Sequence, residues 1–133
     1  MIGAVLVTHG ELGKSLVEVL SRIAKNPVSI KVVSLDWQDD IEKAREKIQQ
    51  AIEKEDRGRG VIIFTDIFGG TPTNVCASFL DREDVEIITG VNLPILLKFI
   101  TERERKELRE LARELVEKGK DSINVASFFF RAR

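Results

Sequence analysis

Residues 2–10 read IGAVLVTHG, an apolar run that ends in a small polar turn containing His9, the single histidine of the chain. The run is short and β-rich, and an amphipathic helical pattern begins at Leu12. This succession predicts the first strand and loop of an α/β domain. Ligands of open α/β sheets bind beyond the carboxyl ends of the strands, where this pattern places the imidazole. His9 is therefore either a functional nucleophile or base, or a residue that caps the loop.

The composition is that of an ordinary soluble globular protein. The chain has 133 residues, enough for one domain with a full hydrophobic core, so we expect residues 1–133 to form a single domain. Of these residues 43% are hydrophobic and 32% are charged. The 21 basic and 22 acidic side chains leave a net charge of -1, which gives no support to nucleic acid or an anionic membrane as a partner.

Targeting and metal-binding patterns are not expected in this chain. Its apolar stretches fall well short of the roughly 18 residues of a membrane span, and the N-terminus lacks the pattern of a signal peptide. We therefore expect a cytoplasmic protein without direct membrane insertion. One cysteine, Cys76, cannot form an internal disulfide, and one histidine leaves no Cys/His set for zinc, so we expect no metal and no cofactor.

Strand-like and helical segments alternate along the chain. Segments typical of strands cover residues 2–7, 28–35, 61–64 and 85–88. Segments with helical spacing cover residues 12–23, 41–52, 72–80, 95–100 and 101–119. Alternation of this kind predicts parallel strands joined by right-handed crossovers. The sequence thus predicts an α/β fold, with an open, mainly parallel sheet in the order 2-1-3-4 and helices on both faces.

Local signals predict three helix boundaries. Thr71 followed by Pro72 is typical of an N-cap with proline in the first helical position. Thr101 and Glu104 form a capping-box pattern, which predicts the start of a separate charged helix. Gly119 is expected to end that helix.

In the predicted order, strands one and three are neighbours, and His9 and Asp66 follow their carboxyl ends. We therefore expect the single imidazole and this carboxylate to meet. An aspartate that accepts a hydrogen bond from one imidazole N–H fixes the tautomer and raises the nucleophilicity of the other nitrogen. Trp37, in the polar turn after the second strand, either covers the mouth of this site or packs at its rim.

The loop after the third strand supplies groups suited to an oxyanion. Gly69 and Gly70 permit close approach of the backbone, and the amides that open the next helix, with the Thr71 hydroxyl, are potential donors. A nucleophile, an orienting acid and a phosphate-binding loop are sufficient for phosphoryl transfer, which depends mainly on positioning and charge stabilisation. The loop lacks the Walker A and G-x-G-x-x-G patterns, which disfavours nucleotide binding.

The C-terminal segment, residues 123–130, reads INVASFFF and is predicted as a fifth strand that is apolar on both faces. Such a strand needs cover on both sides. It either forms a subunit interface, with the strand exchanged in a dimer, or folds onto its own core.

Residues 5–10, 66–74 and 89–94 (VLVTHG, DIFGGTPTN and TGVNLP) resemble, in order and spacing, the type-4 EIIA component of the mannose class of the phosphoenolpyruvate-dependent sugar phosphotransferase system (PTS). The resemblance implies a phosphotransferase in which His9 becomes a phosphohistidine by accepting a phosphoryl group from phospho-HPr. His9 then passes the group to a IIB component for sugar uptake. It further implies that Asp66 orients His9, that Gly69, Gly70 and Thr71 hold the phosphate, and that the protein is a homodimer with an exchanged C-terminal strand.

Other functions remain open from the sequence. A related IIA-like domain donates its phosphoryl group to a dihydroxyacetone kinase, although the loop at residues 68–74 is more similar to the sugar-transport branch. A IIA-like regulatory module would use the same chemistry at His9 to sense the phosphorylation state of the PTS. A receiver-like domain phosphorylated on Asp66 is disfavoured, because it requires metal-binding acids where the first strand here ends in Thr8 and His9.

Overall fold

The computed structural model describes residues 1–67 and 69–130. Its sheet consists of β1 (Gly3–His9), β2 (Lys31–Leu35), β3 (Val61–Thr65) and β4 (Val85–Ile88). All neighbouring pairs are parallel, and the strand order is β2-β1-β3-β4. The predicted α/β sheet with the order 2-1-3-4 is therefore confirmed.

Helices lie where the hydrophobic periodicity predicts them, and one further helical turn lies near the C-terminus. They are α1 (Leu12–Ala24), α2 (Ile41–Glu55), α3 (Thr71–Cys76), a 3₁₀ segment (Ala77–Asp81), α4 (Leu93–Glu102), α5 (Leu108–Asp121) and α6 (Ser127–Phe130). None of the helices in the described part of the chain is both long enough and apolar enough to span a membrane.

The sheet separates two layers of hydrophobic core. On one face, Leu6 and Phe64 of the central strands pack in a cluster with side chains of α1, α4 and α5. On the other face, Val5 and Ile63 belong to a second cluster, to which α2 and α3 contribute. The central strands are covered on both sides, which explains why residues 61–64 are continuously apolar. Helices therefore lie on both faces of the sheet, as predicted.

The register of the sheet fixes the position of the candidate site. Val5 pairs with Ile63 and Val7 pairs with Thr65, so β1 continues two residues beyond the last residue of β3. His9 ends β1, while Asp66 follows β3 directly. Both residues consequently lie at the carboxyl edge of the sheet.

The predicted boundary of α3 is wrong by one residue. Gly70 is the N-cap, with an extended backbone (φ -81°, ψ 173°), and Thr71 is the first residue of the helix. Proline is tolerated in the first turn, where its missing N–H needs no partner, so the helix can start at Thr71 with Pro72 in second position. The Thr71 hydroxyl is therefore not an N-cap group.

The capping box predicted at Thr101 and Glu104 does not start a helix. Thr101 lies inside α4, and the N-cap of α5 is Glu107. A long-range interaction outweighs the local signal here, because Arg103 is buried after α4 and donates through Nε to the Ile2 carbonyl at 3.0 Å. Its Nη1 donates to the carbonyl of Ser29 at 2.9 Å.

Gly119 does not end α5, which continues to Asp121. Instead, it is a packing residue. A Cβ atom at Gly119 would lie 2.6 Å from Cδ1 of Ile95, so α4 and α5 approach each other more closely than a larger residue would allow.

The C-terminal strand predicted for residues 123–130 is wrong for the single chain. Residues 123–126 are irregular, and Ser127–Phe130 forms the helical turn α6, in which the Phe129 amide donates to the carbonyl of Ala126 at 3.0 Å. A strand requires a neighbouring strand for its hydrogen bonds, and within this chain the segment bonds locally instead. Phe128, Phe129 and Phe130 remain exposed.

Candidate functional site

His9 and Asp66 are joined by two hydrogen bonds to a single carboxylate oxygen. Oδ2 of Asp66 lies 2.8 Å from Nδ1 of His9 and accepts the backbone N–H of His9 at 2.9 Å. An ionised carboxylate can only accept, so Nδ1 carries the proton, and in the neutral imidazole Nε2 then has the free lone pair. The sequence predicted this pair from topology, but the second bond, to the backbone, has no sequence signal.

The environment of Asp66 keeps it ionised. Burial by itself raises the pKa of this carboxyl, but the hydrogen bonds from the His9 amide and ring, together with electrostatic attraction to the His9 ring, bring the pKa below its ordinary value. Oδ1 of Asp66 is buried and has no hydrogen-bond partner among the described residues.

Hydrogen bonds fix the turn that follows β1 and His9. After β1, the amide of Gly10 (φ 52°) donates to the Leu35 carbonyl at 2.9 Å, and Oγ1 of Thr8 accepts the amide of Gly13 at 2.8 Å. These bonds attach the β1–α1 turn to β2 and to the start of α1. The position of His9 is consequently determined on both sides of the residue.

Two threonines hold the loop after β3. Oγ1 of Thr73 donates to the Ile67 carbonyl at 2.7 Å and lies 2.8 Å from Oγ1 of Thr65. Since Thr73 uses its proton on the carbonyl, Thr65 is the donor in the second bond. This chain of bonds, which no local sequence pattern indicates, connects the end of β3 to the first turn of α3 across the loop that carries Asp66.

The two loop glycines have different roles. Gly69 has φ 83°, in the left-handed region that favours glycine. At Gly70 a Cβ atom would lie 3.1 Å from Cε1 and 3.7 Å from Nε2 of His9, so the backbone closely approaches the free edge of the imidazole. The structure thus places the Gly70 backbone beside the His9 ring.

His9 opens into a cleft of ≈ 200 Å³, called here the His9 cleft. Its lining residues are His9, Leu35, Asp36, Trp37, Asp39, Ile41, Ala44, Thr71 and Val75. The Trp37 ring packs on the imidazole, with centroids 4.9 Å apart and planes inclined by 32°, although Trp37 itself is 83% exposed. Of the two interpretations of Trp37, the structure favours the one in which it covers the mouth of the site.

The described residues do not form a metal-binding site. Among residues 1–67 and 69–130, no group of three or more His, Cys, Asp and Glu side chains could hold a metal ion. Cys76 is buried in the core, where desolvation raises the pKa of its thiol to about 12 and keeps it protonated. The chemistry that the cleft supports is therefore attack by the unprotonated Nε2 of an imidazole whose other nitrogen is held by a carboxylate.

Comparisons with known proteins show the family of this chain. Residues 3–116 match the family model of the PTS system fructose IIA component. The chain is 32% identical over 128 residues to the PTS system fructose-specific EIIA component of Bacillus subtilis (strain 168), covering 96% of this chain and 88% of that protein. It is 27% identical over 124 residues to the PTS system mannose-specific EIIAB component of Escherichia coli (strain K12), covering 92% of this chain but only 38% of that protein.

A solved structure has the same fold. The phosphotransferase system component EIIA from Streptococcus agalactiae superposes with a TM-score of 0.86, covering 96% of this chain and 99% of that one at 20% identity. The family model spans most of the chain, and a relative at 32% identity covers nearly all of it. This chain therefore belongs to the EIIA-man family, the fructose and mannose type of IIA components of the sugar phosphotransferase system.

Proposed function

We propose that His9 is the phosphorylation site of this IIA component, and that it accepts a phosphoryl group from phospho-HPr and passes it to a IIB component. The observation that carries the proposal is the 2.8 Å contact between Nδ1 of His9 and Oδ2 of Asp66, which leaves Nε2 as the nucleophile. Asp66 supports the reaction by orientation and charge. No cofactor takes part.

The proposed transfer is an exchange of one nitrogen–phosphorus bond for another. The Nε2 lone pair attacks the phosphorus of phospho-HPr, and the bond from phosphorus to the HPr imidazole breaks, leaving its electron pair on that ring. The Nδ1 proton stays on His9, donated to Asp66, whose carboxylate balances the positive charge of the phosphorylated ring. The same exchange with a histidine of the IIB component returns His9 to its starting state.

Gly69, Gly70 and Thr71 are proposed to hold the transferred phosphoryl group. Support comes from the closeness of Gly70 to Cε1 and Nε2 of His9, and from the position of Thr71 in the lining of the His9 cleft. Backbone amides at the loop and the Thr71 hydroxyl can donate to the phosphoryl oxygens, whose charge grows as the bonds exchange.

We place this activity in the cytoplasm, within sugar uptake, and propose that residues 1–133 act as a single domain. The fructose-specific and mannose-specific names of the relatives concern those proteins. The proposed substrate of the His9 cleft is a phosphoryl group carried by protein, so the proposal assigns no sugar to this chain.

A homodimer with exchanged tails is the second part of the proposal. Within the described residues β4 pairs only with β3, and beside it lies a groove of ≈ 530 Å³ whose apolar lining includes Ile87, Ile88, Ala112 and Val116. The exposed residues of α6 are three consecutive phenylalanines. A tail from a second copy that added as a strand to β4 would cover both apolar surfaces at once.

Intact-mass spectrometry after incubation with phosphoenolpyruvate, enzyme I and HPr tests the proposal. Wild type is expected to gain one acid-labile phosphoryl group, and the His9→Ala variant none. Circular dichroism of His9→Ala checks that the variant is folded, and omission of HPr is the second control. Labelling of the variant at the wild-type rate would show that His9 is not the acceptor.

A further inference from the structure

The mouth of the His9 cleft exposes a cluster of large apolar side chains. Trp37 and Ile41 line the cleft and are 83% and 54% exposed, and Ile67, directly after Asp66, is 57% exposed. The Ile67 side chain also packs against Gly70, since its Cγ2 would lie 2.9 Å from a Cβ atom at that position. This apolar surface lies around the His9 imidazole, which in the proposed function must contact another protein.

Trp37 is held in place although its indole is in solvent. The turn after β2 is closed by the amide of Asp36, which donates to Oδ2 of Asp39 at 2.7 Å, and by the amide of Asp39, which donates to the Asp36 carbonyl at 3.1 Å. The Trp37 amide donates to Oδ1 of Asp36 at 2.8 Å. Packing against His9 orders the ring further. A pre-ordered side chain loses little conformational entropy when a partner covers it.

The charges of the cleft define the partner's surface. Asp36 and Asp39 are the charged side chains in its described lining, which contains neither lysine nor arginine. Asp40 follows at the start of α2 and is also exposed. A complementary surface therefore combines an apolar pocket for the indole with lysine or arginine side chains around it.

We infer that Trp37 is the anchor on which HPr docks at the His9 cleft, with its indole inserted into an apolar pocket of HPr that basic side chains border. Tryptophan is among the residues that most often dominate the energetics of an interface. HPr must also bring its phosphohistidine within reach of Nε2, and the indole lies against that same imidazole. The inference rests on the proposed function, because it takes HPr as the phosphoryl donor.

Docking is measured apart from chemistry by calorimetric titration of the chain with unphosphorylated HPr from the same organism. For Trp37→Ala we expect Kd to rise about 10-fold or more, the usual range for truncation of an interface tryptophan. The matched control is Ile23→Ala in α1, which removes another half-exposed apolar side chain (51%) and should leave Kd unchanged.

Phosphoryl transfer supplies the second readout. In single-turnover transfer from phospho-HPr, Trp37→Ala should raise the concentration for half-maximal rate and leave the rate at saturation within about twofold. Asp36→Asn keeps an acceptor for the Trp37 amide but removes one charge, so it should weaken binding at low salt and reduce its salt dependence.

The inference would be overturned if wild type did not bind HPr, or if Trp37→Ala had an unchanged Kd. It would also be overturned if Trp37→Ala lowered only the rate at saturation, because Trp37 would then be a positioning residue only. Phosphorylation of His9→Ala alongside normal Trp37-dependent binding would overturn the proposed function and leave the docking inference standing.

Discussion

Oδ2 of Asp66 accepts both the backbone N–H and the ring Nδ1–H of His9, at 2.9 and 2.8 Å. One atom thereby fixes the end of β1 and the orientation of the imidazole. Rotation of the ring breaks the second bond, so Nε2 has one preferred direction, towards Gly70 and the His9 cleft. Catalysis of phosphoryl transfer depends mainly on such positioning.

Replacement of Asp66 by Asn should slow phosphorylation of His9 without abolishing it. The amide can still occupy the site, but it lacks the negative charge that balances the phosphorylated ring. We expect the single-turnover rate from phospho-HPr to fall about 10- to 100-fold, by analogy with the loss caused by removing a group that orients a metal-binding histidine. An Asp66→Asn variant that reacts at the wild-type rate, with a normal melting temperature, would contradict the role given to Asp66.

The lowered pKa of Asp66 also predicts how stability depends on pH. Hydrogen bonds from His9 hold the folded-state pKa below the unfolded value of about 3.9, so the ionised carboxylate stabilises the fold above that pH. This stabilisation is lost as the pH falls through the folded-state pKa. Urea titrations from pH 6 downward should therefore show wild type losing more free energy of unfolding below about pH 4 than Asp66→Asn. Parallel curves for the two proteins would contradict the prediction.

At Gly70 an added methyl group should impair transfer more than folding. The new Cβ would lie 3.1 Å from Cε1 of His9 and 2.9 Å from Cγ2 of Ile67. Either the ring or the loop must move by a few tenths of an ångström, and small displacements of reacting groups are costly for rate. Gly70→Ala should therefore keep a near-normal melting temperature and lose at least about 10-fold in rate. A normal rate would show that this close approach is not needed.

Gly119→Ala should have the opposite effect to Gly70→Ala, with a loss of stability and a normal rate, because Gly119 lies far from the His9 cleft. Its Cβ would lie 2.6 and 2.7 Å from Cδ1 and Cγ1 of Ile95 between α4 and α5. Overpacking of this kind costs about 1–3 kcal/mol. We expect chemical denaturation to show a loss of that size, with the rate of His9 phosphorylation unchanged at a temperature where the variant is folded. Wild-type stability would mean that the two helices separate freely.

Phe129→Asp tests the proposed exchange of C-terminal tails. Burial of a charged side chain in a strand between two copies has an unfavourable free energy, so the substitution should shift the protein towards monomer. Light scattering over a range of concentrations measures the mass. Phe129 is 65% exposed in the single chain, so the monomer itself should stay folded. If the mass of the variant equals that of wild type, the tail is not part of the interface.

The fold and the His9–Asp66 pair could be predicted because both follow from patterns local in sequence. Alternation of buried strands and amphipathic helices predicts a parallel α/β sheet. In the order 2-1-3-4, one of the common orders of such sheets and the one observed, the residues that follow strands one and three meet. Local sequence signals also define both ends of β4 and the start of α1, and these match the predicted positions.

The remaining features depend on contacts between distant parts of the chain. Burial of Arg103 against the carbonyls of Ile2 and Ser29 overrides the capping signal at Thr101, and no short pattern encodes it. Packing of Trp37 on His9 depends on the exact turn at residues 36–40. The C-terminal segment has strand-like composition, yet a strand forms only where another strand can pair with it.

The identity of the phosphorylated nitrogen tests most directly whether His9 accepts the phosphoryl group through Nε2. Because His9 is the only histidine, long-range ¹H–¹⁵N correlation spectra of the phosphorylated, ¹⁵N-labelled protein report on one imidazole. The hydrogen bond from Nδ1 to Asp66 predicts that the phosphoryl group is on Nε2, with Nδ1 protonated. A phosphoryl group on Nδ1, or on any residue other than His9, would contradict the account.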